Sequence, residues 1–439
     1  MTDATWLWSI WQALLQSFAG AFTRPGHRRF AEWVTALALN VEEHTITQST
    51  LAIERPADWK AMETFAEYGA WRAECVTRSL TRLIEKAPGQ TWHGYHVSAV
   101  DDTEVHRNSE GVWGTCTFHE YTARCPNRAT TVRAHNWVCL GALLRNDGQP
   151  AWYLPVSGRL YFRKSQLPTE SGAVGPKEAF RTKCELAVEL IREQARTTGG
   201  RHLAAFDGGY ALQTVIRPLV SPGDGSPRIE FLTRLRHDAR LYAPLPERHR
   251  SNPKWGRRLP PPRQGGRWTR HWHEGTGFIY GRRRKVRYKE IACVWRVSGP
   301  DVPVKAVVAR VEGYKKRFTL VTSATELTGL QLVELFAARF RQEDGFRDLK
   351  QRLGWEECRA WTRNPIMRTS QAQWVTMSLL RLAQFRLEAE GEVDWWFRPP
   401  WDPKKDRPSV LDVERLFRRH RPEIQQHLSD WPGGEGEAA

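Results

Sequence analysis

A charged helix is predicted by the stretch Phe336-Ala-Ala-Arg339-Phe-Arg-Gln-Glu343-Asp-Gly-Phe-Arg347-Asp-Leu-Lys350, which contains no proline. At 3.6 residues per turn, one carboxylate and three cations share a face of this helix, namely Arg339, Glu343, Arg347 and Lys350. One interpretation is an exposed helix stabilised by salt bridges that contribute a few tenths of a kcal/mol each. The other is a metal-binding carboxylate flanked by cations that bind phosphate groups. The choice depends on whether other carboxylates reach the same place.

Two aspartates stand directly after predicted strands. Asp101 follows Val97-Ser98-Ala99-Val100, and Asp207 follows Leu203-Ala204-Ala205-Phe206 and precedes two glycines. Functional groups of open α/β sheets collect at the carboxyl ends of strands, so the two acids are expected within reach of one ion. Either aspartate alone is more simply a strand-end cap. Together with Glu343, they favour a three-carboxylate site.

The hydrophobic pattern divides the chain into a helical front and an α/β remainder. Apolar positions three and four apart predict helices through residues 1–90. Within that part, 45–53 and 56–65 suit a helix-turn-helix, and a plain helical bundle explains them equally well. The strands predicted beyond it are His96–Val100, Thr130–Leu144, Ala151–Val156, Leu203–Phe206, Ile229–Leu235, Tyr288–Val297, Val304–Val311 and Phe318–Ser323. The predicted helices are Pro176–Gly199, Thr325–Leu353, Trp374–Leu387 and 409–427.

These features resemble the DDE transposases of bacterial insertion sequences. The helix that carries the third acid in that family reads Tyr-x2-Arg-x3-Glu-x6-Lys. Here Phe336, Arg339, Glu343 and Lys350 have the same spacing, with phenylalanine in place of tyrosine. The similarity covers roughly residues 25–390.

The two aspartates also match the family pattern. Asp101-Asp102-Thr103 resembles its Asp-x-Thr/Ser, with Asp101 favoured as the first acid and Asp102 as the alternative. Asp207, after an apolar run, resembles the second acid.

The resemblance implies an α/β fold with an RNase H-like catalytic core, a β-rich insertion and a preceding helical domain. The segments expected are a helical, DNA-binding 1–90; the first part of the core, 91–215; the basic insertion, 216–322; the second part of the core, 323–390; and a C-terminal tail, 391–439.

The resemblance also implies an activity. Asp101, Asp207 and Glu343 would hold two Mg²⁺ ions, for which Mn²⁺ can substitute. The expected reaction is metal-dependent cleavage at element ends followed by strand transfer into target DNA. The implied partners are double-stranded DNA and, in the synaptic complex, a second copy of the chain. The cations of the helix, Arg339, Arg347 and Lys350, would contact the DNA backbone.

The net charge of +17 is concentrated in one segment. Residues 248–289 carry 14 Lys/Arg against one acid, Glu274, with aromatic residues between them. Cations neutralise phosphates and aromatic rings stack on unpaired bases, which favours nucleic-acid contact over a merely solvated loop. The predicted DNA-binding residues here are Arg257, Arg258, Arg267, Trp268, Arg270, Trp272, Arg282, Arg283, Arg284 and Lys285. Some relatives stack a tryptophan on a flipped base, for which the candidates are Trp255, Trp268, Trp272 and Trp295.

Other classes are disfavoured. No apolar run reaches the roughly 18 residues of a membrane helix. An odd count of seven cysteines at irregular spacing indicates reduced thiols, so we expect a cytoplasmic, nucleoid-associated protein. A zinc site is a weak alternative for Cys116, His119, Cys125, His135 and Cys139. Two rival functions remain open: a non-mobile RNase H-like DNA endonuclease, and a domesticated or inactive transposase that only binds DNA.

Overall fold

The computed structural model describes residues 4–120, 130–145, 149–167, 179–245, 254–389 and 395–433. The α-helices in these ranges are α1 (Ala4–Gln16), α2 (Arg24–Leu39), α3 (Ile46–Ala52), α4 (Trp59–Tyr68), α5 (Ala73–Glu85), α6 (Lys183–Thr198), α7 (Gln213–Val220), α8 (Gly329–Arg339), α9 (Arg341–Arg352), α10 (Arg363–Ala389), α11 (Val410–Arg419) and α12 (Arg421–Asp430). The strands are β1 (Thr91–Trp92), β2 (Tyr95–His106), β3 (Cys116–His119), β4 (Thr131–Leu144), β5 (Trp152–Tyr161), β6 (His202–Phe206), β7 (Glu230–Arg234), β8 (Leu241–Tyr242), β9 (His273–Ile279), β10 (Arg282–Trp295), β11 (Pro303–Val311) and β12 (Phe318–Thr322).

All the described strands belong to one mixed sheet. Its order is β3-β4-β2-β6-β7-β12-β11-β10-β8, with β1 beside β2, β5 beside β4 and β9 beside β10. Strands β2, β6 and β7 are parallel neighbours, and the others pair antiparallel. The five strands β5-β4-β2-β6-β7 form the RNase H-like part, and β12-β11-β10 extend the same sheet. The predicted fold class, with its helical N-terminal region, is confirmed.

The sheet separates two hydrophobic cores because successive side chains of a strand point to opposite faces. Val97 and Ala99 pack on one face with the apolar side of α8, and Val100 packs on the other. In β6, Leu203 and Ala205 belong to the α8 face, whereas Ala204 and Phe206 belong to the opposite face. This alternation fixes the face on which each candidate acid lies.

Several helix boundaries follow from local capping. Helix α6 begins after Thr182, whose side chain accepts a hydrogen bond from the Glu185 amide while the Glu185 carboxylate accepts one from the Thr182 amide. It ends at Gly199, which has φ of +65°. The predicted end at Gly199 is therefore confirmed. The predicted start is wrong, because 179–182 are not helical and Pro176 lies outside the described residues.

Other predicted elements need correction. The strand at Asp101 does not stop there, since β2 continues to His106 by pairing with β4. The helix 325–353 is two helices, α8 and α9, which meet at Phe340. The helix 409–427 is likewise α11 and α12, interrupted at His420 just before Pro422. Helix α10 begins earlier than predicted, and the short strands β3 and β9 were not predicted.

The chain ends pack together. Helix α10 is buried over most of its surface, as expected of a helix between layers. Trp11 of α1 packs edge-on against Phe417 of α11, and Trp8 contacts His427 of α12.

The segment boundaries given in the sequence analysis stay predictions. Residues of both 91–215 and 216–322 contribute to one continuous sheet. Within the described ranges, no helix has the length and apolar character that a membrane crossing requires.

Candidate active site

The structure places Asp101 and Asp207 at equivalent positions on neighbouring strands. Val100 and Phe206 form the last registered pair of the parallel strands β2 and β6, and each aspartate is the next residue. Asp207 keeps an extended backbone, with φ of −73° and ψ of 165°. By strand alternation, both carboxylates project toward the α8 face. The Thr233 hydroxyl of β7 donates to the Asp207 carbonyl at 3.2 Å and holds this strand end in place.

Glu343 reaches the same place from above the sheet. It lies in the first turn of α9, and Arg339 at the end of α8 connects it to the strand acid. The Arg339 guanidinium donates to Asp101 Oδ2 at 2.9 Å and to Glu343 Oε1 at 3.4 Å. The charged helix face is therefore not simply solvent-exposed, because its first cation is buried against a strand carboxylate.

Asp101 and Glu343 line one open cleft of about 510 Å³. The cationic and polar side chains along the cleft include Arg347, Lys350 and Gln351. Lys350 pairs with Glu356 at 3.3 Å and also donates to the Glu104 carbonyl. Asp207 is beside Asp101 on the next strand rather than in the lining of this cleft.

Burial raises the pKa of Asp101 to about 6. The Arg339 guanidinium opposes this rise, whereas the nearby charges of Asp102 and Asp207 add to it. A desolvated carboxylate beside other carboxylates is stabilised by any added cation, which here is the guanidinium.

Asp102 also borders this cleft, but its carboxylate is held by other partners. Its carboxylate pairs with the Lys183 ammonium at 2.6 Å and accepts from the Tyr210 hydroxyl at 3.0 Å. Asn136 adds a longer contact at 3.4 Å. Because these partners engage Asp102 away from Glu343, the geometry favours Asp101 as the first acid. Nothing local in the sequence indicated Lys183 and Tyr210, since only the packing of α6 and the turn after β6 brings them there.

The donor set suits a hard divalent cation, because all three candidate ligands are carboxylates. Among the described residues, however, no three His, Cys, Asp or Glu side chains are close enough together to hold a metal ion. Asp101 and Glu343 are held apart because the Arg339 guanidinium lies between them. The acids fit a metal site once Arg339 releases one of them. The buried Arg339 Nε has no hydrogen-bond partner in the described structure and offers a donor for a phosphate oxygen.

The last part of the cationic segment 248–289 forms one face of the hairpin β9–β10. Val286 and Tyr288 of β10 pack toward α8, while Arg283, Lys285 and Arg287 point to the other face and are exposed. Arg287 stands opposite Arg310 in the register of β10 and β11. Glu274 pairs with Arg287 at 2.7 Å, but like charges in direct cross-strand positions repel and the cations outnumber this acid, so this face is suited to a bound anion.

The candidate tryptophans differ in availability. Trp295 is buried, and the Trp268 indole donates to the Pro260 carbonyl at 2.9 Å. Trp255 packs on Tyr242 with ring centroids 4.9 Å apart. Trp272 is surrounded by cations, with Lys289 Nζ 5.1 Å and the Arg310 guanidinium 5.4 Å from its ring. The remaining predicted contacts are all placed along this segment: Arg257, Arg258, Arg267, Arg270, Arg282 and Arg284.

The zinc alternative gains no support within the described ranges. Burial and the neighbouring Arg107 lower the pKa of His135 to about 4, and its ring contacts the Trp113 carbonyl at 2.8 Å. Cys116 and Cys139 are buried free thiols, and Cys125 lies outside the described residues.

The helix pair predicted for the N-terminal part exists as α3 and α4. Two acidic residues, Glu63 and Glu67, lie beside Lys60 along α4.

A comparison with family models matches residues 17–291 to the DDE superfamily endonucleases. The match extends over more than half of the chain, so the protein belongs to this family. It includes Asp101 and Asp207 and stops before the helix of Glu343. Nucleases of this superfamily generally use divalent metal ions, and their substrate is DNA. A search of curated proteins found no match.

Proposed function

We propose that this protein is a DNA transposase of the insertion-sequence type. It cleaves at the ends of its element and joins the freed 3′ ends to target DNA. The observation that carries the proposal is the convergence of Asp101 and Glu343 on one cleft, with Asp207 beside Asp101 on the same face of the sheet. The exposed cations of the β9–β10 hairpin support contact with DNA beyond the cleft.

When bound by Asp101, Asp207 and Glu343, two Mg²⁺ ions, or Mn²⁺ in their place, would activate the attacking hydroxyl and stabilise the leaving oxygen. The chain's own groups prepare that chemistry. Arg339 neutralises the acids until substrate arrives, and it then turns its guanidinium to a phosphate oxygen. Lys350 and Arg347 line the cleft and orient the DNA backbone beside Glu343. Asp101 acts as an ionised carboxylate, the form with which Arg339 pairs.

The partners follow from this chemistry. Double-stranded DNA is bound both as element end and as target, and two copies of the chain pair two ends. We place the protein in the bacterial cytoplasm, associated with the nucleoid. This placement is supported by the charge of +17.

An excision assay tests the proposal. A donor plasmid carries the gene's own flanking ends around a marker, and it is incubated with Mg²⁺ and wild-type protein, Asp207→Asn or Asp224→Asn. Asp224 is an exposed aspartate paired with Arg192 at 3.1 Å and serves as the matched control. Wild type and the control should release and reinsert the marker, and Asp207→Asn should not.

Two other results would contradict the proposal. Cleavage by wild type without any joining would indicate a non-mobile endonuclease on the same core. Binding of the ends without cleavage would indicate a domesticated or inactive transposase that acts as a DNA-binding protein.

A further inference from the structure

A basic groove opens next to Asp207, outside the residues that the sequence pattern indicated. It has a volume of about 340 Å³, and its floor includes Gly208, the residue after Asp207. None of its lining residues is acidic, and five are basic: Arg234, Arg236, His237, Arg263 and Arg317. All five of these side chains belong to exposed residues. Such a concentration of one charge beside a catalytic acid calls for an anionic ligand.

The groove is held together by backbone hydrogen bonds between three separate segments. The Leu235 amide donates to the Thr319 carbonyl at 2.8 Å, which joins the end of β7 to β12. The Arg263 amide donates to the His237 carbonyl at 3.1 Å, and the Arg317 guanidinium donates to the Arg263 carbonyl. The arginines are therefore presented by a fixed framework, although they are distant from one another in the sequence.

The groove begins beside Asp207, because the next residue, Gly208, lies against the Arg234 backbone. Arg234 is the register partner of Leu320 at the edge of the RNase H-like part, where β7 meets β12. The charge of Arg234 also acts on Tyr280, which lies in the tight turn between β9 and β10 with φ of +50°. Its ring packs against Phe340 with centroids 5.6 Å apart, and Phe340 is the residue between Arg339 and the helix of Glu343. A strand leaving the acids past Asp207 would thus enter the groove directly.

The arginines have few acidic partners of their own. Within the described part of the chain, the five basic residues of the groove form one ion pair, between Arg236 and Asp238 at 3.3 Å. Both of these side chains are largely exposed. Exposed pairs of that kind contribute little to stability. Four guanidinium groups around one groove repel each other, and successive phosphates of a nucleic-acid backbone would relieve that repulsion.

We propose that this groove binds the sugar–phosphate backbone of the DNA strand that leaves the active site past Asp207. The inference rests on the proposed function for the identity of that strand. Its ligand chemistry is the phosphodiester chain, which two DNAs present in the reaction: the element end and the target. The contacts are to phosphates, so they position the strand without reading its sequence.

The test is the double variant Arg236→Gln/Arg263→Gln, compared with Arg415→Gln/Arg419→Gln. Arg415 and Arg419 are exposed on α11, outside the segments expected to bind DNA, and are not part of the groove. The probe is a fluorescein-labelled duplex of about 40 base pairs of arbitrary sequence, titrated in EDTA over a series of salt concentrations. Because the groove variant neutralises two fewer phosphates, its slope of log K against log salt should fall by about 1.8 and its affinity at about 0.1 M salt by tens of fold. The variant Arg236→Lys/Arg263→Lys should keep most of the slope.

A slope and an affinity equal to those of the α11 control would overturn the proposal. Because this titration involves no catalysis, its result is independent of whether the protein cuts DNA. Cleavage that fails in wild type would contradict the proposed function, and an unchanged slope would contradict the groove alone.

Two reaction arms then identify the DNA that is bound. If the groove holds target DNA, the Gln double variant should lose joining of a pre-cleaved end and keep cleavage of an uncut one. If it holds the element end, cleavage should fall as well. Either loss supports the groove, and retention of both reactions at wild-type rates would oppose it.

Discussion

The two halves of the sheet treat charge in opposite ways. In the half built on β2 and β6, two carboxylates near the site have a cationic partner: Arg339 for Asp101 and Lys183 for Asp102. In the half built on β10 and β11, cations outnumber acids, and Arg287 pairs with Glu274 but also faces Arg310 across the strands. The cations of the first half are engaged with the site carboxylates, whereas the second half keeps an excess of cations for a bound anion. Chemistry and DNA binding should therefore be separable by mutation.

The largest effect is expected from Glu343→Gln, which should abolish cleavage and leave DNA affinity unchanged. The substitution removes one carboxylate charge from the acid site and leaves the basic half intact. Loss of a metal ligand removes several kcal/mol of transition-state stabilisation, so cleavage should slow by at least about 1000-fold. Single-turnover cleavage and binding titrations on the same duplex measure the two effects.

The matched control for this variant is Asp344→Asn. Asp344 is the next residue of α9 and pairs with Arg341 and Arg347 instead of Arg339. It should retain cleavage within a few-fold. Near-normal cleavage by Glu343→Gln, or equal loss in both variants, would remove Glu343 from the site.

An intermediate effect is expected from Lys350→Ala, which removes a cation of the helix that carries Glu343. Lys350 lines the cleft without being a metal ligand, so cleavage should fall by about 10- to 100-fold while metal affinity is unchanged. Calorimetric titration with Mn²⁺ in the presence of DNA separates the two quantities. Loss of metal binding in this variant would contradict its assigned contact with phosphate.

A smaller effect is expected from Arg283→Gln on the cationic face of β10. Removing one phosphate contact should lower the slope of log K against log salt by about 0.9 and weaken binding several-fold at about 0.1 M salt. The cleavage rate of bound DNA should not change. Arg415→Gln, on the exposed side of α11, provides the control, and a slope that is the same in both variants would show that this face does not bind DNA.

The smallest effect concerns stability and its dependence on pH. The folded pKa of Asp101 is about 6 and its ordinary value is 3.8, so the folded state binds the extra proton between these values. Stability therefore declines as pH rises through this window, and the full penalty applies above it. Asp101→Asn removes the penalty, and in EDTA it should raise the free energy of unfolding at pH 7 by at most about 3 kcal/mol.

Denaturant titrations of both proteins at several pH values measure this difference. The gain should shrink as the pH falls from about 6 and vanish below the ordinary value of 3.8, where the wild-type carboxyl is protonated in both states. A gain that is independent of pH would show that burial of the Asp101 charge is not its cause.

The sequence indicated the acids because their signals are local. A run of apolar residues that ends in Asp207 and a helix with Arg339, Glu343 and Lys350 at fixed spacing are both visible without tertiary structure. The same reasoning placed Asp101 at a strand end, whereas β2 continues for five more residues because β4 pairs with it as far as His106. The parallel pairing of β2 with β6 does end at Val100. Such pairing between two strands is not visible in the sequence of either strand alone.

The features that the sequence did not indicate depend on contacts between distant segments. The pairing of Arg339 with Asp101 joins residues 238 positions apart, and the basic groove gathers arginines from three segments. The cationic run 248–289 suggested one patch, but β10 alternates between a face that packs on α8 and a face that is exposed. Only the exposed face remains available to DNA.

The central claim is that Asp101, Asp207 and Glu343 together hold the catalytic metal. Iron-directed cleavage of the protein tests it most directly, because Fe²⁺ occupies oxygen sites that bind Mn²⁺ and generates radicals that cut the nearby backbone. In the DNA complex, we expect three cuts, close to residues 101, 207 and 343. All three should be suppressed by excess Mg²⁺ and lost together in Glu343→Gln. Cuts confined to one of these places, or clustered around Cys116 and His135, would contradict the account.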